Sequence, residues 1–279
     1  VNNAIPKLGI GRPARAFTLL ELLVVIAIIG ILASIALPNL HKFKPNVTAA
    51  GGRQMLDAIA RGRQLALSQR TTVYMVFVPT NFWTHPAFTS LSDTEKAKGT
   101  NLFDKQCIGY NFVTLRSMGD QPGRPTPRYL DSWKTLPEGV FIPHQKFGKR
   151  DVNVPVLKIY TNGPPPTLQR LLAFNVLAFP ITNNIPFPSE FAPASSGPDP
   201  WVPLRYLGFN SMGQLTTERD EQIPLALGTA SFTRNQNKAP VAGSPTFTEA
   251  PTSNSVIAFN VVNIDWLTGR ARIERQEIQ

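Results

Sequence analysis

"RPARAFTLLELLVVIAIIGILASIALPNL", residues 12–40, opens on arginines and then turns almost wholly apolar. From Phe17 to Leu40 the only charged side chain is Glu21. A helix needs about 20 apolar residues to cross the hydrocarbon core of a bilayer, and this segment supplies them. Lys7, Arg12 and Arg15 precede it, with no acid among residues 1–16. The positive-inside rule therefore keeps the N-terminal side cytoplasmic and exports everything after Leu40.

Three readings of the segment compete. It can be a plain signal anchor. It can be a cleaved signal peptide, with "ASIA" (Ala33 to Ala36) offering a small-x-small cut site. Or Glu21 can be functional. A lone ionised group in a transmembrane helix costs about 2.5–3.5 kcal/mol on insertion scales, which suits neither of the first two readings. The cost is offset where a cation meets the carboxylate. A cut between Ala16 and Phe17 would create such a cation, an α-amino group four residues from Glu21.

"AFTLLELLVVIAIIGILASIALPNL" resembles the class III signal and first helix of the type IV pilins and pseudopilins. The matching positions are Phe17 as first mature residue, Thr18, Leu19–Leu20, Glu21 as fifth residue, the apolar run, and Pro38. Ala16 stands where the family usually has Gly. The resemblance implies that a prepilin peptidase removes the leader 1–16 at Ala16 and N-methylates Phe17. It implies a single-pass subunit in the inner membrane, its C-terminal domain periplasmic. An inner-membrane assembly platform then extracts it into a filament, periplasmic or at the cell surface. The partners so implied are other pilin or pseudopilin subunits, the peptidase and the platform. Phe17, Glu21 and Pro38 become assembly residues, with Glu21 neutralising the Phe17 amine of a neighbour.

The rest of the 279 residues suits one anchored domain with large loops. The 26 prolines and 19 glycines favour β-structure with many loops over a helical bundle. The net charge of +10 permits contact with nucleic acid or anionic lipid. The single cysteine, Cys107, leaves no intrachain disulfide and reads as a half-buried residue at a strand start.

Pro38 and Pro45 both interrupt the helical register, and Gly51–Gly52 adds a soft point. "RQMLDAIARGRQLALSQR" then regains helical period, with Met55, Ile59, Gly62 and Ala66 on one face. Strand-like runs follow at 71–79, 108–115, 139–143, 154–160, 171–179, 205–210, 223–232 and 255–264. The expected fold class is α+β: a long N-terminal helix, membrane-spanning in its first half and amphipathic in its second, on an antiparallel sheet. The expected division is leader 1–16, transmembrane or filament-core helix 17–40, amphipathic helix 41–70 and β domain 71–279. Insertions are expected near 80–106 and in the Pro-rich stretch 180–203, and a mobile loop at 233–254.

"ARGRQLALSQRTTVYMVFV", "DSWKTLPEGVFI" (131–142), "YLGFNSMGQLTT" (206–217) and "NIDWLTGRARIER" (263–275) resemble, in order, segments of the H-type minor pseudopilins and related minor pilins. The third reads as a strand, a Gly turn and a second strand, and the last as a closing hairpin.

Catalytic and metal motifs are missing from the sequence. His41, His85 and His144 lie far apart, whereas zinc sites need clustered ligands. No P-loop, G-x-G-x-x-G or G-x-S-x-G occurs. The expectation is a structural protein with no catalytic residue, metal or cofactor. In "TGRARIER", Arg270 and Arg272 fall on one face of an extended chain, with Arg275 close by. Arginines so spaced can fork onto successive phosphates, and the motif resembles the DNA-contacting tail of some minor pilins. DNA is thus a candidate partner through Arg270, Arg272 and Arg275.

Overall fold

A computed structural model describes residues 19, 22–29, 45–116, 119–120, 127–148, 156–160, 168–172, 178–182, 204–252, 254–257 and 259–274. Two compact units divide at Pro45. In the first, residues 22–29 are helical.

The second unit is built on helix α1, Pro45–Gln69. Pro45 opens this helix rather than interrupting it, because the first helical position needs no N–H donor. The helix runs unbroken through Gly51 and Gly52, and both are buried. A Cβ on Gly51 would lie 2.9 Å from the Val140 methyls, and one on Gly52 would lie 2.6 Å from Ile273 Cδ1. These glycines mark close approach of helix to strands, not softness. Met55, Ile59 and Ala66 are buried as their spacing predicts, with Ala58 beside them.

Among the described residues three antiparallel sheets follow. The first contains β1 (Val73–Phe77), β2 (Gly109–Thr114), β3 (Arg128–Tyr129), β4 (Lys134–Thr135), β8 (Ile181–Thr182) and β9 (Leu204–Phe209), in the order β3-β2-β1-β9-β8 with β4 also on β2. The second contains β5 (Val140–Phe141), β10 (Glu221–Ser231), β11 (Thr246–Glu249), β12 (Asn260–Ile264) and β13 (Ala271–Glu274). Strands β6 (Val156–Tyr160) and β7 (Leu168–Leu172) pair with each other.

The main core joins the buried face of α1 to Val73, Met75, Phe77, Phe112 and Phe209 of the first sheet, and to Ile223, Leu225, Val262 and Ile264 of the second. The alternate residues of β1 turn the other way. Val76 and Val78 enter a second core with Val113 and Leu204, covered by Phe82, Phe88, Leu91, Leu102 and Phe103. Covering both faces explains why "VYMVF" is continuously apolar instead of alternating.

That cover is the segment 80–106. It folds as short helices at Phe82–Thr84, Pro86–Thr89, Asp93–Lys98 and Thr100–Leu102. Ser92 and Glu95 form a reciprocal capping box at the third. Its aromatic residues interlock: Phe82 stacks on Phe103 with ring centres 5.5 Å apart and meets Phe88 edge-on at 5.5 Å.

Other expectations need correction. The run 171–179 is not one strand: β7 ends at Leu172 and Ala178–Pro180 is not extended in a sheet. The run 255–264 begins as a helical turn, Asn254–Ile257, before β12. Asn254 Oδ1 there accepts the Leu227 N–H at 2.5 Å, so the turn closes over β10. The stretch 233–254 contains β11 and a bridge between Arg234 and Pro240. It is hydrogen-bonded structure, not a free loop. After β9 the chain turns at Gly213 and makes only a single bridge, Phe209 to Leu215, in place of a second strand.

Candidate functional site

The N-terminal unit first. Leu22, Leu23, Val24, Val25, Ile26, Ile28 and Ile29 are all exposed on their helix. Consecutive apolar residues point round the whole helical circumference, so no single face can bury them. A helix apolar all round is of the kind found in a protein core or a membrane span. Ala16, Phe17, Glu21 and Pro38 lie outside the described residues, as does most of the expected span 17–40. Among the described residues no helix is long and apolar enough to cross a membrane.

In the second unit three quoted motifs converge on α1. Arg63 Nε donates to the Thr268 carbonyl oxygen at 2.7 Å. The arginine stem passes two glycines, Gly213 (φ +77°) and Gly269 (φ +62°), and an added Cβ at either would approach it to within 3.2 Å. A Cβ at Gly269 would also overlap the Gly213 carbonyl oxygen. The two turns are therefore stacked, and only glycine permits both the left-handed φ and the approach. Leu215 N–H donates to the Trp266 carbonyl at 2.8 Å, and Trp266 N–H to Asp220 Oδ1 at 2.9 Å. On the other flank Arg61 and Lys134 each reach Asp131 at 2.8 Å. Burial pushes the Asp131 carboxyl up. The Lys134 hydrogen bond, the Ser132 N–H and the Lys134 and Arg61 charges outweigh it and hold the group below the usual carboxylate range.

The basic hairpin is β12–β13, closed by the Asp265–Gly269 turn. Asp265 Oδ1 accepts the Thr268 N–H and hydroxyl, each at 2.7 Å. Those bonds hold the Asp265 carboxyl below its ordinary range. Arg270 and Arg272 are exposed, as the alternation predicts, and Arg275 lies outside the described residues. Arg272 pairs with Glu274 at 3.1 Å. Both arginines line a cleft of about 500 Å³ together with Asp220, Asp265 and Glu274. Three carboxylates thus stand among two guanidiniums, and the cleft is not a surface of one sign.

Cys107 is wholly buried rather than half-buried, and burial pushes its thiol up, away from nucleophilic reactivity. His85 Nδ1 accepts the Ala87 N–H at 3.2 Å as a helix cap. Among the described residues no three His, Cys, Asp or Glu side chains gather as a metal site. One charged pair escaped the sequence reading. Lys146 Nζ meets Glu221 Oε2 at 3.3 Å, with side chains 0% and 2% exposed, and sits 4.5 Å from the Phe179 ring centre. Nothing local announces it, since the partners are 75 residues apart.

Comparison with known proteins bears on the N-terminal unit. Residues 11–37 match the prokaryotic N-terminal methylation motif. Over 56 residues the chain is 41% identical to the type IV major pilin protein PilA of Myxococcus xanthus (strain DK1622), a match covering 20% of this chain and 26% of that pilin. The chain therefore spans about a quarter of the length of this curated relative. No solved structure matches. The stretch matched by the methylation motif contains Ala16, Phe17, the lone acid Glu21 and the described apolar helix 22–29, and there the chain is similar to proteins that carry that motif.

Proposed function

We propose that the chain is a minor pilin or pseudopilin subunit, built into a type IV pilus or a type II secretion pseudopilus through its N-terminal helix. Prepilin peptidase cuts between Ala16 and Phe17 and methylates the new terminus. Helix 17–40 holds the subunit in the inner membrane with the C-terminal domain in the periplasm, until an assembly platform moves it into the filament. There the apolar helices bundle, and the carboxylate of Glu21 neutralises the Phe17 amine of an adjacent subunit. The observation that carries the reading is the methylation motif over 11–37, in which one acid interrupts an otherwise uncharged run. The order of the four H-type segments supports a minor subunit. So does their physical use: Arg61, Arg63, Asp131, Gly213 and Gly269 belong to those segments and tie α1 to the sheets.

The test is Glu21→Ala in the native host. Leader removal persists while recovery of the subunit in sheared or over-expressed filaments falls. Incorporation equal to that of the parent chain contradicts the pairing role of Glu21.

A further inference from the structure

The +10 charge raises the question of where an unneutralised cationic site stands. The hairpin arginines share their cleft with three carboxylates. A different pair does not. Register places Val73 opposite Thr114 on one side and Phe209 on the other. The residues just outside these pairs therefore gather at one end of the sheet: Arg70–Thr72 before β1, Leu115–Arg116 after β2 and Asn210–Ser211 after β9. They line a cleft of about 380 Å³ with Tyr74 in its wall and, among the described residues, no acidic one in its lining.

Arg70 and Arg116 are exposed, and among the described residues neither guanidinium is paired with a carboxylate. The Thr71 hydroxyl donates to the Arg116 carbonyl at 3.1 Å, which fixes the backbone of one arginine beside that of the other. The hydroxyls of Thr72, Tyr74 and Ser211 have no partner among the described residues. Tyr74 is half-buried and braced edge-on by Tyr206, ring centres 5.2 Å apart. Burial and then the Tyr206 phenol raise its pKa, so it keeps its proton as a donor. Arg70 itself has φ +50°. The residue after a helix commonly takes this conformation, but glycine is the usual occupant, because a Cβ there crowds the following carbonyl oxygen.

We propose that this cleft binds a phosphate monoester dianion between the Arg70 and Arg116 guanidiniums, with the Thr72, Tyr74 and Ser211 hydroxyls as further donors. Two fixed positive charges match a monoester, which carries roughly −1.5 to −2 at neutral pH. A phosphodiester offers one charge and a carboxylate only two oxygens, whereas residues from three strand ends line this cleft with two guanidiniums and several hydroxyls. None of its residues lies in the N-terminal segment that the proposed filament assembly uses.

The test is calorimetric titration of the full chain in non-ionic detergent with inorganic phosphate, glycerol 3-phosphate and dimethyl phosphate, at ionic strength matched with chloride. The two dianions saturate one site, and the diester binds at least about tenfold more weakly. Arg70→Gly and Arg116→Gln each weaken phosphate binding about tenfold or more, the loss expected for one charged hydrogen-bonded partner. Arg70→Gly also leaves thermal stability equal or higher, which a purely structural arginine would not. Short-chain phosphatidic acid in the same micelles separates a lipid headgroup from a soluble ester as the source of the group. Absence of saturable binding, equal binding of the diester, or binding that survives both replacements overturns the proposal.

Discussion

Arg63 and Thr268, 205 positions apart in sequence, are joined by a 2.7 Å hydrogen bond from the guanidinium Nε to the backbone carbonyl. This bond locks α1 to the closing hairpin, and its geometry depends on Gly213 and Gly269 lying against each other beneath the arginine stem. Gly269→Ala combines a left-handed φ with overlap on backbone, which has no rotamer to escape into. Destabilisation of about 2 kcal/mol or more is expected, read as a lower urea midpoint. Arg63→Ala should cost less, about 1 kcal/mol, because water can take over the exposed carbonyl.

Gly62 is the point where α1 crosses the first sheet. A Cβ there would stand 3.0 Å from Phe112 Cε1 and 3.1 Å from Phe209 Cε2, and both rings are fully buried. Helix propensity favours alanine over glycine by about 1 kcal/mol, but the rings must shift inside a filled core. Gly62→Ala is expected to lose about 1–3 kcal/mol net. A thermal melt higher than that of the parent would show that the helix has room to lift.

The Lys146–Glu221 pair is predicted to behave asymmetrically. Lys146→Met alone strands a buried carboxylate and should cost about 3–5 kcal/mol. The double replacement Lys146→Met with Glu221→Leu removes both charges and should recover most of that loss. A double-mutant cycle in urea checks it; equal destabilisation by the single and double variants would contradict the account of the pair.

Asp131 gives the domain an acid-sensitive tie. Its folded pKa lies below the unfolded value, about 3.9, so the unfolded chain binds the proton more readily. The stabilisation is present in full above that value and is lost as pH falls through the folded pKa. The stability difference between the parent chain and Asp131→Asn should therefore be larger at about pH 7 than at about pH 3. A difference that stays constant across that range would assign the effect to packing instead of charge.

Much of this was legible in the residue order, and the division follows a physical line. The face Met55–Ile59–Gly62–Ala66 is a local period, and it is the buried face. Six strand runs, at 71–79, 108–115, 139–143, 154–160, 205–210 and 223–232, correspond to strands because turn residues bracket them. The short helices of 80–106 were not legible, because the polar run "SDTEKAKG" hides a capping box and the aromatics have meaning only against Val76, Val113 and Leu204. The Arg70–Arg116 cleft is a product of strand register, and the Lys146–Glu221 pair joins the short helix His144–Phe147 to β10; no local pattern encodes either. For the arginine hairpin, alternation gave the exposure of Arg270 and Arg272, and Asp265 and Glu274 stand in the same segment, but Asp220 enters from another.

The central claim is that a freshly exposed terminus at Phe17 compensates the one acid of the apolar helix. Intact-mass and N-terminal sequence determination on the protein purified from its native host tests this most directly. The account predicts a chain beginning at Phe17 and heavier by one methyl group. A chain that retains residues 1–16, or one that begins at Leu37, would contradict it.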